Sequence, residues 1–196
     1  MNIYIPHSWL LDHLDTEADP QTIASCLSLC GPSVERIETI ESEPVYDIEI
    51  TTNRVDMMSV KGIAREAAAI LPEFGIAASL KPSKHKIIND NSNPLDIDIV
   101  NDPSLNHRIM AIKIANVEIK PSPQWLQKRL IQVGQRPLNN IIDVTNYVMW
   151  EIGHPIHAFD YDRLAAKKIN VRTANPGESF VTLDNKSYTT VGGEVV

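Results

Sequence analysis

The chain has 196 residues, 43% of them hydrophobic, with a formal net charge of −7; that suits one or two folded domains and is too apolar for a disordered chain. It contains no run of about 18 apolar residues that would read as a membrane span, and its opening, MNIYIPHSWLLDHLDTEADP, carries early acids and no basic leader, so it does not read as a signal peptide. The charge is uneven: residues 1–80 hold 4 Lys and Arg against 13 Asp and Glu, and residues 81–196 hold 14 against 12, so neither part offers the basic field that sequence-independent nucleic-acid binding needs.

Asn2–Ile5 is a short β-prone start that ends at Pro6, which opens a helix over Ser8–Leu14 with Trp9, Leu10 and Leu14 apolar. Asp19-Pro20 caps a second helix running to about Leu29 and closed by Gly31-Pro32. Within it Cys26 and Cys30 stand four apart on one helical face. That spacing suits neither a zinc ribbon nor a disulfide framework, and they read as buried small hydrophobes in a reducing compartment. Val34–Ile40 and Val45–Thr51 alternate as half-buried strands do, with the acidic joint Glu38–Pro44 expected to be a short exposed turn between antiparallel partners. Asp56 reads as the cap of a turn before a helix over Val60–Leu71, stopped by Pro72.

Residues Lys81–Pro94, KPSKHKIINDNSNP, have the Lys, Ser, Asn and Pro content of a linker. The expected organisation is therefore a domain over residues 1–82, a linker over 83–94 and a second domain over 95–196. The second part opens with the alternation Leu95–Ile99. A strand over Arg108–Val117 follows, then a helix with Pro123 at its start and Gly134 at its end. Asn140–Glu151 reads as a further helix, Ile169–Arg172 and Phe180–Leu183 as strands. LDNKSYTTVGGEVV reads as a hairpin followed by a strand barely begun, which suggests an unfinished domain. Helices and strands mix without a βαβ rhythm, so the expected class is α+β.

The stretch DVTNYVMWEIGHPIHAFD, Asp143 to Asp160, concentrates the chemistry-bearing residues. His154, His157 and Asp160 have a spacing suggestive of metal ligation, but Gly153 and Pro155 interrupt any shared helical face. In extended chain, 154 and 157 point to opposite sides. No further Cys or His cluster completes a shell, so no metal is expected. There is no G-x-S-x-G elbow, P-loop or Rossmann fingerprint. Thr145 and Asn146 admit two readings: a hydroxyl and an amide offered to a ligand, or a helix turn capped by Asp143 or Thr145 with Asn146 bonded to backbone. His157, in an apolar stretch flanked by Ile156 and Ala158, reads as a satisfied core histidine rather than a catalytic one.

Four stretches taken together decide more. IPHSWLLDHL, EITTNRVDMMSVKGIAREAAAIL (Glu49–Leu71), WLQKRLIQVGQRPLNNIIDVTNYVMWEIGHPIHAFDYDRL (Trp125–Leu164) and GESFVTLDN (Gly177–Asn185) strongly resemble, in order, the N-terminal part of the bacterial-type phenylalanyl-tRNA synthetase β subunit. The resemblance implies a small N-terminal α/β, B1-like domain followed by the first part of a larger α+β editing domain of B3/B4 type. The family's OB-fold insertion would sit between Val34–Ile40 and Val45–Thr51, where only ETIESEP stands, so the chain looks like a variant lacking the insertion or one from which it was removed. The rest of the editing pocket would lie beyond Val196. The resemblance also implies a heterotetramer of two α and two β subunits, with tRNA(Phe) as partner and a cytoplasmic location. ATP and Mg2+ would serve the aminoacylation site on the α subunit, with no cofactor in this part and no aminoacylation by this chain alone. The family's editing residues fall on Arg136 of GQRP, Thr145 and Asn146 of DVTNY, and His157 and Ala158 of PIHAFD. Arg136 and Ala158 would contact substrate, while Thr145, Asn146 and His157 would form part of a site that hydrolyses mischarged Tyr-tRNA(Phe). The alternative is an assembly or RNA-binding module with no chemistry of its own.

Overall fold

The computed structural model describes residues 1–82, 96–182 and 185–196. They form two compact units: residues 1–82 with Glu118–Ala158, and residues 96–117 with Phe159–Val196. Helices and strands alternate irregularly, as α+β predicts.

The first unit is organised around an antiparallel sheet of β1 (Asn2–Pro6), β3 (Ser33–Ile40) and β4 (Glu43–Glu49), ordered β1-β4-β3. As the central strand, β4 has both edges paired, and Val45, Tyr46, Asp47 and Ile48 are all buried. The expected hairpin is tighter than the polar joint suggested. Ile40 pairs with Glu43, leaving Glu41 and Ser42 as a two-residue turn, both with positive φ (51° and 63°).

Helix α1 (His7–Leu11) is shorter than the predicted Ser8–Leu14, because Leu14 already belongs to β2 (Leu14–Thr16), which pairs with β5 (Ala78–Leu80). Helix α2 (Pro20–Cys30) begins as expected: Asp19 accepts from Thr22 N at 3.0 Å, and Pro20 occupies the first turn, where no N–H is needed. Cys26 is buried, but Cys30 is exposed, so one of the two cysteines is no core residue; it stands in the last turn of α2, beyond the reach of the core.

Helix α3 (Val60–Ile70) is capped by Ser59 through Gly62 N at 2.9 Å, and Asp56 lies inside the 3-10 turn Val55–Met57 ahead of it rather than capping that turn. Asp56 instead joins Glu66 in holding the Arg54 guanidinium, each carboxylate taking two bonds. A Cβ on Gly62 would lie 2.3 Å from Asp56 O, so only glycine lets this turn close. Val60, Ile63, Ala64, Ala67 and Ile70 form the buried stripe of α3, at the i, i+3, i+4, i+7 spacing of a core-facing helix. Pro72 does not end the helical path abruptly, since Leu71–Phe74 continues as a 3-10 turn. The core of Ile3, Ile5, Trp9, Leu10, Ile23, Leu27, Ile48, Ile63 and Leu71 fills the space between sheet and helices, each such side chain contributing roughly 1.5–3 kcal/mol of burial.

Helices α4 (Gln124–Gln132) and α5 (Asn140–Ile152) fall where the sequence placed them, yet they pack into the first unit rather than with residues 96–117. The cause is apolar: Val133 joins the core, and Tyr147 and Trp150 pack against it. Tyr147 stacks on Trp9 with ring centroids 4.5 Å apart. A division at 83–94, all of which lies outside the described residues, is thus not the division by packing.

The second unit contains a parallel pair, β6 (Asp98–Asn101) with β7 (Lys168–Val171), and the antiparallel hairpin β8 (Ser179–Val181) with β9 (Ser187–Thr189). Leu95 and Leu183, included in the expected strands, lie outside the described residues. The predicted strand over Arg108–Val117 is not formed. Its alternation is genuine, but a strand exists only through a ladder, and among the described residues it has no partner. Met110 and Ile112 accordingly stand 75% and 82% exposed. The final residues do begin an antiparallel pairing: Thr173 bridges Val195, and Arg172 and Val196 exchange backbone bonds at 3.0 and 2.9 Å.

Candidate functional site

Helix α4 ends in a Schellman arrangement. Gln135 N bonds Leu130 O at 2.8 Å and Gly134 N bonds Ile131 O at 3.0 Å, with Gly134 at φ 76°, a value that L side chains rarely adopt. Arg136 follows directly, exposed and without an ion-pair partner among the described residues. Pro137 and Leu138 then lead into α5.

The start of α5 is stitched by four polar side chains. Asn139 is the N-cap, accepting from Ile141 N at 3.0 Å and Ile142 N at 3.1 Å. Asn140 imitates a strand partner for the segment ahead of α4: its Oδ1 accepts from Lys120 N and its Nδ2 donates to Glu118 O, both at 3.0 Å. Asp143, 0% exposed, accepts from Ser122 Oγ at 2.5 Å and from Leu138 N at 2.8 Å. The run PLNNIID is thus largely structural, and the capping reading belongs to Asn139, four residues before the end of that run.

Thr145 and Asn146 lie in the second turn of α5, both half-buried. The Thr145 hydroxyl stands 2.8 Å from Ile142 O. A carbonyl only accepts, so the hydroxyl donates there and its lone pairs are left to accept from a ligand. The Asn146 carboxamide has no hydrogen-bond partner among the described residues and can both donate and accept. Successive helical positions are about 100° apart. Thr145 therefore lies away from the Asp143, Tyr147, Trp150 side that meets the first-unit core, and shares its face with Ile141, Val148 and Ile152.

Helix α5 ends at Gly153, and residues 154–158 follow without regular structure. His157 and Ala158 are exposed, so the core-histidine reading of His157 is overturned: residues 154–158 form no strand and no side chain there is buried. Among the described residues no group of three or more His, Cys, Asp and Glu side chains converges as a metal ion would require. Asp160 caps a 3-10 turn through Asp162 N at 3.1 Å.

The back of α5 is fixed by charge and aromatics. Arg129 donates to Tyr147 Oη at 2.9 Å, and His13 Nε2 lies 3.3 Å from Glu151. Burial lifts the Tyr147 phenol above its ordinary range, and the Glu151 charge adds to this. Of the candidate residues, the structure sets Thr145 and Asn146 side by side and ties the Arg136 loop to the same helix. It places His157 and Ala158 in the segment leaving that helix. Sequence reasoning gave Asp143 only a capping role, where it instead accepts from Ser122 and Leu138, and missed Asn140 and Ser122 as parts that hold the arrangement. The signal available was an Asp three residues beyond an Asn-Asn pair at a helix start.

Residues 105–196 match the B3/4 domain family. The phenylalanine–tRNA ligase beta subunit of Carboxydothermus hydrogenoformans is 43% identical over 155 residues, 79% of this chain and 18% of that protein. That of Thermotoga maritima is 43% identical over 158 residues, 79% of this chain and 19% of that protein. The Streptococcus pyogenes serotype M18 protein of the same description is 43% identical over 144 residues, 72% of this chain and 17% of its own length. The chain thus spans less than a fifth of the length of these relatives. The chain is thus similar over residues 105–196 to the B3/4 domain family, and over most of its length to the β subunits of bacterial phenylalanine–tRNA ligases.

Proposed function

We propose that this chain is part of the β subunit of a phenylalanine–tRNA ligase and that its α5 region forms one wall of the site that hydrolyses mischarged Tyr-tRNA(Phe). The whole enzyme attaches phenylalanine to tRNA(Phe) using ATP and Mg2+, in the cytoplasm, as a heterotetramer with the α subunit. None of the described residues cluster as Mg2+ ligands, and no step here runs through that ion.

The chemistry calls for such a site. A pocket shaped for phenylalanine rejects an analogue bearing one added hydroxyl only about a hundredfold, so a second, hydrolytic site must supply the remainder. Water attacks the ester carbonyl, a tetrahedral oxyanion forms, and the ribose oxygen leaves with a proton as tyrosine is released. The residues here position and stabilise. Arg136, exposed and uncommitted, holds a phosphate of the tRNA 3′ end. Asn146 donates to the substrate or the oxyanion. Thr145, whose proton is committed to Ile142 O, accepts from the attacking water or the substrate. His157 orients water, and Ala158 leaves room beside it.

The observation that carries this reading is the free carboxamide of Asn146 beside the accepting hydroxyl of Thr145, within a matched B3/4 domain. The test is deacylation of Tyr-tRNA(Phe) by the complete ligase carrying Asn146→Ala, Thr145→Ala or Arg136→Ala. The expected loss for Asn146→Ala is about a hundredfold, the effect of removing one oxyanion donor. Wild-type deacylation in all three variants would leave the assembly-module reading in its place.

A further inference from the structure

Asp143 occupies a position that the proofreading roles do not explain. Its side chain is fully buried and each carboxylate oxygen has one donor: Leu138 N at 2.8 Å on Oδ1, and Ser122 Oγ at 2.5 Å on Oδ2. One donor lies two residues after Arg136, and the carboxylate itself lies two residues before Thr145. The other donor belongs to the segment ahead of α4, where Gln127 Nε2 also bonds Ser122 O at 2.6 Å. The loop between α4 and α5 therefore has three fixed points: the Schellman turn at Gly134, the Leu138 amide and the Asn139 cap. Arg136 lies between the first two.

We infer that Asp143 is a positioning residue for this site, holding the Arg136 loop in register with Thr145 and Asn146 by accepting Leu138 N and Ser122 Oγ. The inference rests on the proofreading reading above. Its physical basis is that a long exposed side chain such as Arg136 is only as well placed as the backbone beneath it. A supporting bond to Leu138 N fixes that backbone without touching substrate. An amide can take over the role: Oδ1 of Asn accepts Leu138 N, while its Nδ2 donates to a Ser122 hydroxyl that rotates to accept.

The experiment is single-turnover deacylation of Tyr-tRNA(Phe) by the complete ligase. It compares Asp143→Ala, Asp143→Asn and Ser122→Ala, each alone and combined with Arg136→Ala. Asp143→Ala is expected to slow deacylation at least tenfold, Ser122→Ala less, and Asp143→Asn to restore the rate to within about threefold of wild type. In the Arg136→Ala background, Asp143→Ala and Ser122→Ala should cost less than twofold further, because the residue they act through is gone. Ser122→Ala keeps the test decisive if Asp143→Ala does not fold. If Arg136→Ala slows deacylation but Ser122→Ala or Asp143→Ala costs the same factor with and without Arg136, the positioning role is overturned while proofreading stands. If Arg136→Ala leaves deacylation unchanged, Arg136 has no part in the site and this inference falls, while the proofreading reading falls only if Thr145→Ala and Asn146→Ala leave it unchanged as well.

Discussion

Arg129 of α4 reaches Asp12, 117 residues earlier, with Nη2 2.5 Å from the carboxylate, while its other terminal nitrogen donates to Tyr147 Oη at 2.9 Å. The guanidinium also lies 5.2 Å from the Trp9 ring centroid, and Trp9 stacks on Tyr147. One cation thus joins α1, α4 and α5, the three elements that set the back of the candidate site against the first-unit core.

Removing that cation has a defined cost. Arg129→Ala forfeits a charge-assisted bond to the half-buried Tyr147 and the contact with Trp9, together about 2–3 kcal/mol. Asp12→Asn should cost under about 1 kcal/mol, because Asp12 is half-exposed and its pair with Arg129 is screened. Urea unfolding of the two variants checks the ranking. Equal losses would mean that the ion pair, rather than the aromatic contact, holds the helices.

The β3–β4 turn stores strain. Glu41 and Ser42 both sit at positive φ, where an L side chain costs about 1–2 kcal/mol per residue, and a two-residue turn of this kind favours Asn-Gly. Replacing Glu41-Ser42 by Asn-Gly should raise stability by about 1 kcal/mol, read as a higher urea midpoint at unchanged slope. A lower midpoint would show that the Glu41 or Ser42 side chain contributes more than its backbone costs.

How far the sequence spoke depended on whether a signal was local. The Asp19-Pro20 start of α2, the apolar stripe of α3 and the acidic joint before Val45 are decided by neighbours in the chain, and all were legible. The Arg108–Val117 alternation was equally clear but misleading, since pairing depends on a partner that no local pattern supplies. The docking of α4 and α5 on the first unit was hidden for the same reason: Tyr147 and Trp150 look like any amphipathic helix until Trp9 is found beneath them. At the site, Thr145 and Asn146 stood out because their types are chemically suggestive. Asp143 did not, because its role is to bind backbone and a distant serine.

His7 makes a pH prediction. Burial holds its imidazole below the ordinary value of about 6.5, only partly offset by the charges of Glu43 and Asp19. Its Nδ1 lies 2.7 Å from Tyr46 Oη. The folded state therefore binds the His7 proton less readily than the unfolded state. The stabilising contribution is complete above about pH 6.5 and is lost as pH falls from there through the lower folded value. An NMR titration should place His7 below 6.5, and His7→Gln should flatten that part of the stability profile. A titration above 6.5 would reverse the sign and remove the effect.

The central claim is that the surface bearing Arg136, Thr145, Asn146 and His157 hydrolyses Tyr-tRNA(Phe), and His157→Ala in the complete ligase tests it most directly. His157 is exposed, so the variant is expected to fold, and phenylalanine charging, which on the proposed reading belongs to another subunit, should continue. Single-turnover deacylation of Tyr-tRNA(Phe) should fall by about a hundredfold, the cost of losing one positioned polar group in a hydrolytic site. Wild-type deacylation by a fully folded His157→Ala enzyme would contradict the account.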